Sequence, residues 1–142
     1  MEAWDEIKDE VDIENFLHLY GHFHDSCLRD AYIQTRESVA ADLTMTFDGN
    51  WTAVLLFQRQ YRNPTVIEMK FDNLSQFNFK AADPDYNSLI FDVTFNKTEG
   101  IFYWASEGGW TLGDNSITWI SSSRVFWRER PALIGPVARI ST

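Results

Sequence analysis

Cysteine is almost missing from this chain: Cys27 stands alone among 142 residues. No internal disulfide can form, so the fold must rest on its own core, and a reducing compartment is expected. Long apolar runs are missing too. The longest, residues 53–57 and 101–105, are strand-sized and far short of a membrane-spanning helix, so no membrane partner is expected. Basic residues are scarce: 12 Lys and Arg face 21 Asp and Glu, a formal charge of −9. Such a chain repels phosphate backbones, which argues against nucleic acid as a partner. The first residues carry no apolar stretch of the kind a secretory leader needs, and a cytoplasmic location is expected. The sequons at Asn73 and Asn96 are then fortuitous. No repeat, low-complexity segment or interdomain linker is visible.

Aromatic residues, by contrast, are plentiful: 11 Phe, 6 Trp and 5 Tyr. They bury large areas and favour half-buried pleated surfaces, so they point toward β structure. The chain is the size of one domain, divided into an acidic helical segment (1–21), a β region (22–130) and a tail (131–142). Charge is unevenly placed. Residues 1–14 hold Glu2, Asp5, Glu6, Asp9, Glu10, Asp12 and Glu14 against Lys8. Residues 116–142 hold Arg124, Arg128, Arg130 and Arg139 against Glu129. An acidic face would attract a basic protein; its simpler role is solubility.

Ile13, Phe16, Leu17 and Tyr20 follow the spacing that places apolar groups on one helical face. Asp12 is the expected N-cap and Gly21 the expected stop, with Ile7 and Val11 in the same helix or a preceding turn. Beyond residue 22 the period becomes two. Ile67, Met69 and Phe71 alternate with Glu68 and Lys70; Phe77 and Phe79 with Asn78 and Lys80; Leu89, Phe91, Val93 and Phe95 with Ile90, Asp92 and Thr94. Each predicts a buried row opposite a mostly polar one. Residues 53–57, 101–104 and 125–127 are apolar on both faces and need cover from the helix, a second layer or another subunit. Tight polar turns between these runs suggest hairpins. The predicted fold is mainly β, with α+β as the alternative: an antiparallel sheet, curled or two-layered, of roughly six to nine strands behind an N-terminal helix.

His18, His22, His24 and Asp25 form the only histidine cluster, and histidine with carboxylate can ligate a transition metal. A helix stop at Gly21 would separate them, leaving polar side chains at a helix-to-strand corner. No cofactor is expected. His24-Asp25-Ser26 contains the residue types of nucleophilic catalysis, but adjacent residues rarely meet in that geometry, so the chain leans away from enzyme activity. Trp110, between Gly108-Gly109 and Gly113, is either a stacking platform for a sugar or base or a packed corner. Gln58, Arg59, Glu68, Arg128 and Arg130 are polar residues on otherwise apolar strands. An arginine beside a glutamate on neighbouring strands would build an ion pair or a charged patch.

From Phe23-His24-Asp25-Ser26-Cys27 onward the chain resembles a group of small uncharacterised bacterial proteins. The similarity runs through Leu43-Thr44-Met45, Phe57-Gln58-Arg59-Gln60, Arg62-Asn63-Pro64, Val66-Ile67-Glu68-Met69 and Trp127-Arg128. The Phe-His-Asp-Ser corner also resembles one in immunity proteins of bacterial toxin systems. The expectation is a non-enzymatic protein-binding module, immunity-like, in a bacterial cytosol. The alternative is a small-molecule or carbohydrate-binding domain, hydrolytic or metal-binding at the His18/His22/His24/Asp25 corner. Homo-oligomers through the doubly apolar strands are a further structural possibility.

Overall fold

The computed structural model describes residues 3–139; Glu2 of the acidic run and the last three residues of the tail lie outside it. Near the N terminus the chain first makes a short strand, β1 (Asp5–Ile7), and then helix α1 (Glu10–Leu19). The helix begins three residues earlier than the acidic pattern predicts. Asp9, not Asp12, is the N-cap, accepting the Asp12 N–H at 2.9 Å. Asp12 reaches back to accept the Lys8 N–H at 2.8 Å, so two otherwise orphaned donors are satisfied reciprocally. Ile13, Phe16 and Tyr20 are buried as their spacing requires, whereas Val11 is exposed.

The chain then turns sharply. Gly21, His22 and Phe23 all take positive φ, 59°, 54° and 62°. For the two non-glycine residues this costs about 1–2 kcal/mol each. The Phe23 side chain is fully buried, ringed by Phe16, Tyr20, Phe57 and Trp104 at centroid distances of 4.9–5.8 Å. That burial contributes roughly 2–3 kcal/mol and offsets most of the strain.

Seven strands form one open sheet in the order β2 (Ser26–Gln34), β5 (Thr52–Arg59), β6 (Val66–Asn78), β9 (Trp119–Glu129), β8 (Ile101–Ala105) and β7 (Thr94–Thr98), with β1 also on β9. Every pairing is antiparallel. β9 is long enough to hold β8 at one end and β1 at the other along the same edge. A separate pair, β3 (Ser38–Val39) and β4 (Met45–Thr46), lies outside this sheet. The fold is therefore mainly β with one N-terminal helix.

Both faces of the central strands are buried, and they are covered differently. On the inner face α1 packs Phe16 against Phe23, Phe95 and Trp127, over Leu55, Phe57, Met69 and Phe71. On the outer face the C-terminal segment, starting with a 3-10 turn at Pro131–Leu133, folds back over β5 and β6. Gln58 Nε2 donates to the carbonyls of Leu133 and Gly135 at 2.9 and 2.8 Å. The tail is thus a lid on the chain's own sheet.

Three alternating rows depart from expectation. Glu68, assigned to a wet face, is 2% exposed because the tail covers it. Phe79 is 66% exposed, although Phe77 packs on the core. Leu89 and Phe91 are 47% and 76% exposed while Ile90 is buried, and the strand begins only at Thr94. No helix among the described residues is long and apolar enough to cross a membrane.

Candidate functional site

The left-handed turn after α1 creates the corner that carries His24 and Asp25. His24 sits with its ring 4.9 Å from Phe91, and its Nδ1 lies 3.0 Å from the Phe91 carbonyl, to which it must donate. Its Nε2 is 3.4 Å from Asp25 Oδ2, and both side chains are about half exposed. The backbone around them is clamped. Asp25 N–H donates to the Ile90 carbonyl, Ile90 N–H to that of Ser26, and Gln60 N–H to that of Asp25. Ser26 is buried and its hydroxyl donates to the Phe23 carbonyl at 2.6 Å, so it is not presented to His24 as a nucleophile. His18 and His22 point into solvent. Among the described residues no group of three or more His, Cys, Asp and Glu side chains comes together to hold a metal ion.

Three other candidate residues have structural partners. Trp110 is 8% exposed, tilts against Trp119 at 5.1 Å and donates its Nε1–H to the Asp114 carbonyl at 2.8 Å. It is a packed corner, not a stacking platform. Arg59 is buried, donates Nε–H to the Pro64 carbonyl at 2.7 Å, and lies 4.5 Å over the Tyr20 ring. A Cβ on Gly21 would come within 2.9 Å of its Nη1, so that glycine serves both a positive φ and a close approach. Burial, opposed by the nearby Arg59 charge, pushes the Tyr20 hydroxyl well above its ordinary pKa. Gln58 anchors the tail, as above.

Glu68 is the hub of a charged cluster. It stands directly across from Arg128 on β9 and accepts from Arg128 Nε at 2.8 Å and Arg130 Nη1 at 2.7 Å. Arg139, from the tail, bridges Glu68 and Asp30 with hydrogen bonds to both. Burial opposes the Arg139 charge, but the Asp30 hydrogen bond and the Asp30 and Glu68 charges outweigh it and hold its pKa above the ordinary value. Arg128 also lies 4.0 Å over the Trp4 ring. Sequence patterning suggests the Glu68–Arg128 pair but carries no local sign of Asp30 or Arg139, which join it only through tertiary folding.

Two surface features remain. Residues 79–92 leave β6, are pinned to Thr118 through both backbone groups of Lys80, and return to the body at Ile90. Beneath them opens a cleft of about 1110 Å³. The second feature is an arm. Between β2 and β5 the chain runs out through β3, a tight turn at residues 40–43, and back through β4. Val39, Leu43, Met45 and Phe47 on it are 57%, 80%, 55% and 70% exposed. The turn closes through Leu43 N–H to the Ala40 carbonyl at 2.8 Å, with Leu43 at φ 72°.

No protein family, curated protein or solved structure matches this chain.

Proposed function

We propose that this chain is a non-enzymatic protein-binding module that engages its partner through the β3–β4 arm. The observation that carries the reading is the arm's exposed apolar surface. Four large side chains stand clear of the core on a projecting hairpin, a pattern that marks an interaction surface and not a folding requirement. The tip sharpens the point. Leu43 occupies a left-handed position that glycine or asparagine would fill at lower cost, yet its side chain is 80% exposed and gives the fold little in return.

The arm's charges indicate the partner's chemistry. Glu37, Asp42 and Asp48 flank the apolar residues against one guanidinium, Arg36, itself 3.9 Å from Asp48. With a chain charge of −9, this favours a protein presenting an apolar groove rimmed by basic side chains. The immunity-like corner at residues 23–26 makes a bacterial toxin the first such partner to examine. The test is capture from the native host with wild-type chain and with a Leu43→Asp/Phe47→Asp variant, followed by reconstitution from purified components. A partner bound by wild type, lost with the variant and weakened by salt supports the reading. Equal binding by both chains, or self-association as the sole outcome in sedimentation, sinks it.

A further inference from the structure

We propose that the gap between Asp30 and Glu68 is a recognition site for an arginine side chain of another protein, with the chain's own Arg139 as its resident occupant. The proposal rests on the protein-binding reading and adds to it a contact outside the arm. Asp30, Leu56, Glu68 and Arg128 stand in register across β2, β5, β6 and β9. Asp30 joins that row through a bulge. Leu28 pairs with Phe57, and the extra residue, Arg29, lets Asp30 pair with Leu56. Without it Asp30 would oppose Leu55, whose side chain belongs to the core. The bulge therefore turns a carboxylate onto the face that bears Glu68.

The two carboxylates flank a fully buried apolar floor, Leu56, on backbones roughly 10 Å apart. A forked cation reaches both. Arg139 shows the fit: its Nε donates to Asp30 Oδ1 and Oδ2 at 3.0 and 3.1 Å, its Nη2 to Asp30 and its Nη1 to Glu68. Its Cζ lies 5.4 Å from the centre of the Tyr32 ring. Every nitrogen of the guanidinium is used, a pattern that a lysine ammonium cannot reproduce. The occupant is held lightly. Leu133, Gly135, Val137 and Arg139 are half-buried and alternate with exposed residues, as in an extended segment lying on a surface. Among the described residues no backbone-to-backbone hydrogen bond joins 134–139 to the sheet; the side chains of Gln58, Asp30 and Glu68 hold it instead. Glu68 keeps Arg128 and Arg130 when Arg139 leaves, so exchange of one guanidinium for another never leaves the buried carboxylate bare. An arginine on a basic partner also complements a chain of charge −9.

The test vacates the site in the full chain with Arg139→Ala and titrates four probes calorimetrically: N-acetyl-arginine amide, N-acetyl-lysine amide, N-acetyl-citrulline amide and free arginine. The variant should bind the capped arginine saturably, at least roughly tenfold more tightly than the lysine probe or the neutral citrulline probe. Adding Asp30→Asn should remove that preference. Wild type should bind the capped arginine at least about threefold more weakly than Arg139→Ala, because the tethered Arg139 competes at an effective concentration on the order of millimolar. Arg139→Lys, which keeps a cation on the tail, serves if Arg139→Ala does not fold and should rank the probes in the same order. No saturable binding, or equal binding of the arginine and lysine probes, would overturn the site. Equal binding by wild type and Arg139→Ala would overturn Arg139 as its occupant, and tighter binding of free than of capped arginine would overturn a protein as the source. These titrations contain no partner, so their failure is distinct from failure of the capture experiment.

Discussion

Replacing Glu68 by alanine removes the carboxylate that three guanidinium groups share. Its side chain is 3% exposed, while those of Arg128, Arg130 and Arg139 are 16%, 27% and 12% exposed. At a surface ion pair such a change costs at most about 1 kcal/mol. Here the carboxylate is buried, and removing one partner of a buried pair costs about 3–5 kcal/mol because the remaining charges lose their compensation. The lower half of that range suits this site, since Arg130 keeps partial access to water and Asp30 still pairs with Arg139. A loss of about 3–4 kcal/mol is expected, which for a domain of this size lowers Tm by roughly 10–15 °C. Urea unfolding followed by tryptophan fluorescence reads it directly, because Trp104 lies in the core and Trp127 packs against it. Glu68→Gln, which keeps the shape and one acceptor, should recover part of the loss. A Glu68→Ala cost below about 1 kcal/mol would show that the cluster behaves as solvated surface and refute the assignment of the tail as a cover.

Other consequences are open to measurement. Asp9→Ala should cost about 1 kcal/mol in urea unfolding, whereas Asn15→Ala, at an exposed position inside the same helix, should be neutral or stabilising by a few tenths because alanine is the better helix former. Leu43→Gly should increase hydrogen-exchange protection of the Leu43 and Ala40 amides by relieving the left-handed strain, while weakening partner binding; reduced protection would count against strain at the tip. The Arg124 guanidinium, hydrogen-bonded to Glu6 at 3.1 Å, holds that carboxyl below the usual range. The stability this pair contributes is full above the ordinary carboxylate pKa and is lost as pH falls through the lowered value. Glu6→Gln should therefore flatten the acid side of the stability profile, and an unchanged profile would show that the pair contributes nothing.

Parts of this fold are legible in the sequence because they are local. Ile13, Phe16 and Tyr20 declare their helical face through spacing alone, and residues 53–57 declare burial on both sides by having no polar alternation. The failures share a cause. Glu68 alternates as a solvent-facing residue does, and only the return of the tail, more than sixty residues later, buries it. Leu89, Phe91 and Phe79 look like core by type, yet they rim a cleft because the 79–92 segment is pinned by Lys80 and Ile90 instead of pairing as a strand. The Asp12 prediction missed by three residues because several acids compete for the cap, and backbone geometry chooses Asp9. In the arm, Val39, Met45 and Phe47 carry no local mark that separates exposed apolar residues from core ones. Exposure is set by what fails to pack against them.

The arm is tested most directly by hydrogen exchange of the full chain with and without the reconstituted partner. New protection should concentrate in residues 38–47 and disappear with the Leu43→Asp/Phe47→Asp variant. Protection confined to α1 or the cleft, with the arm exchanging as freely as in the unbound chain, would contradict a binding role for the hairpin.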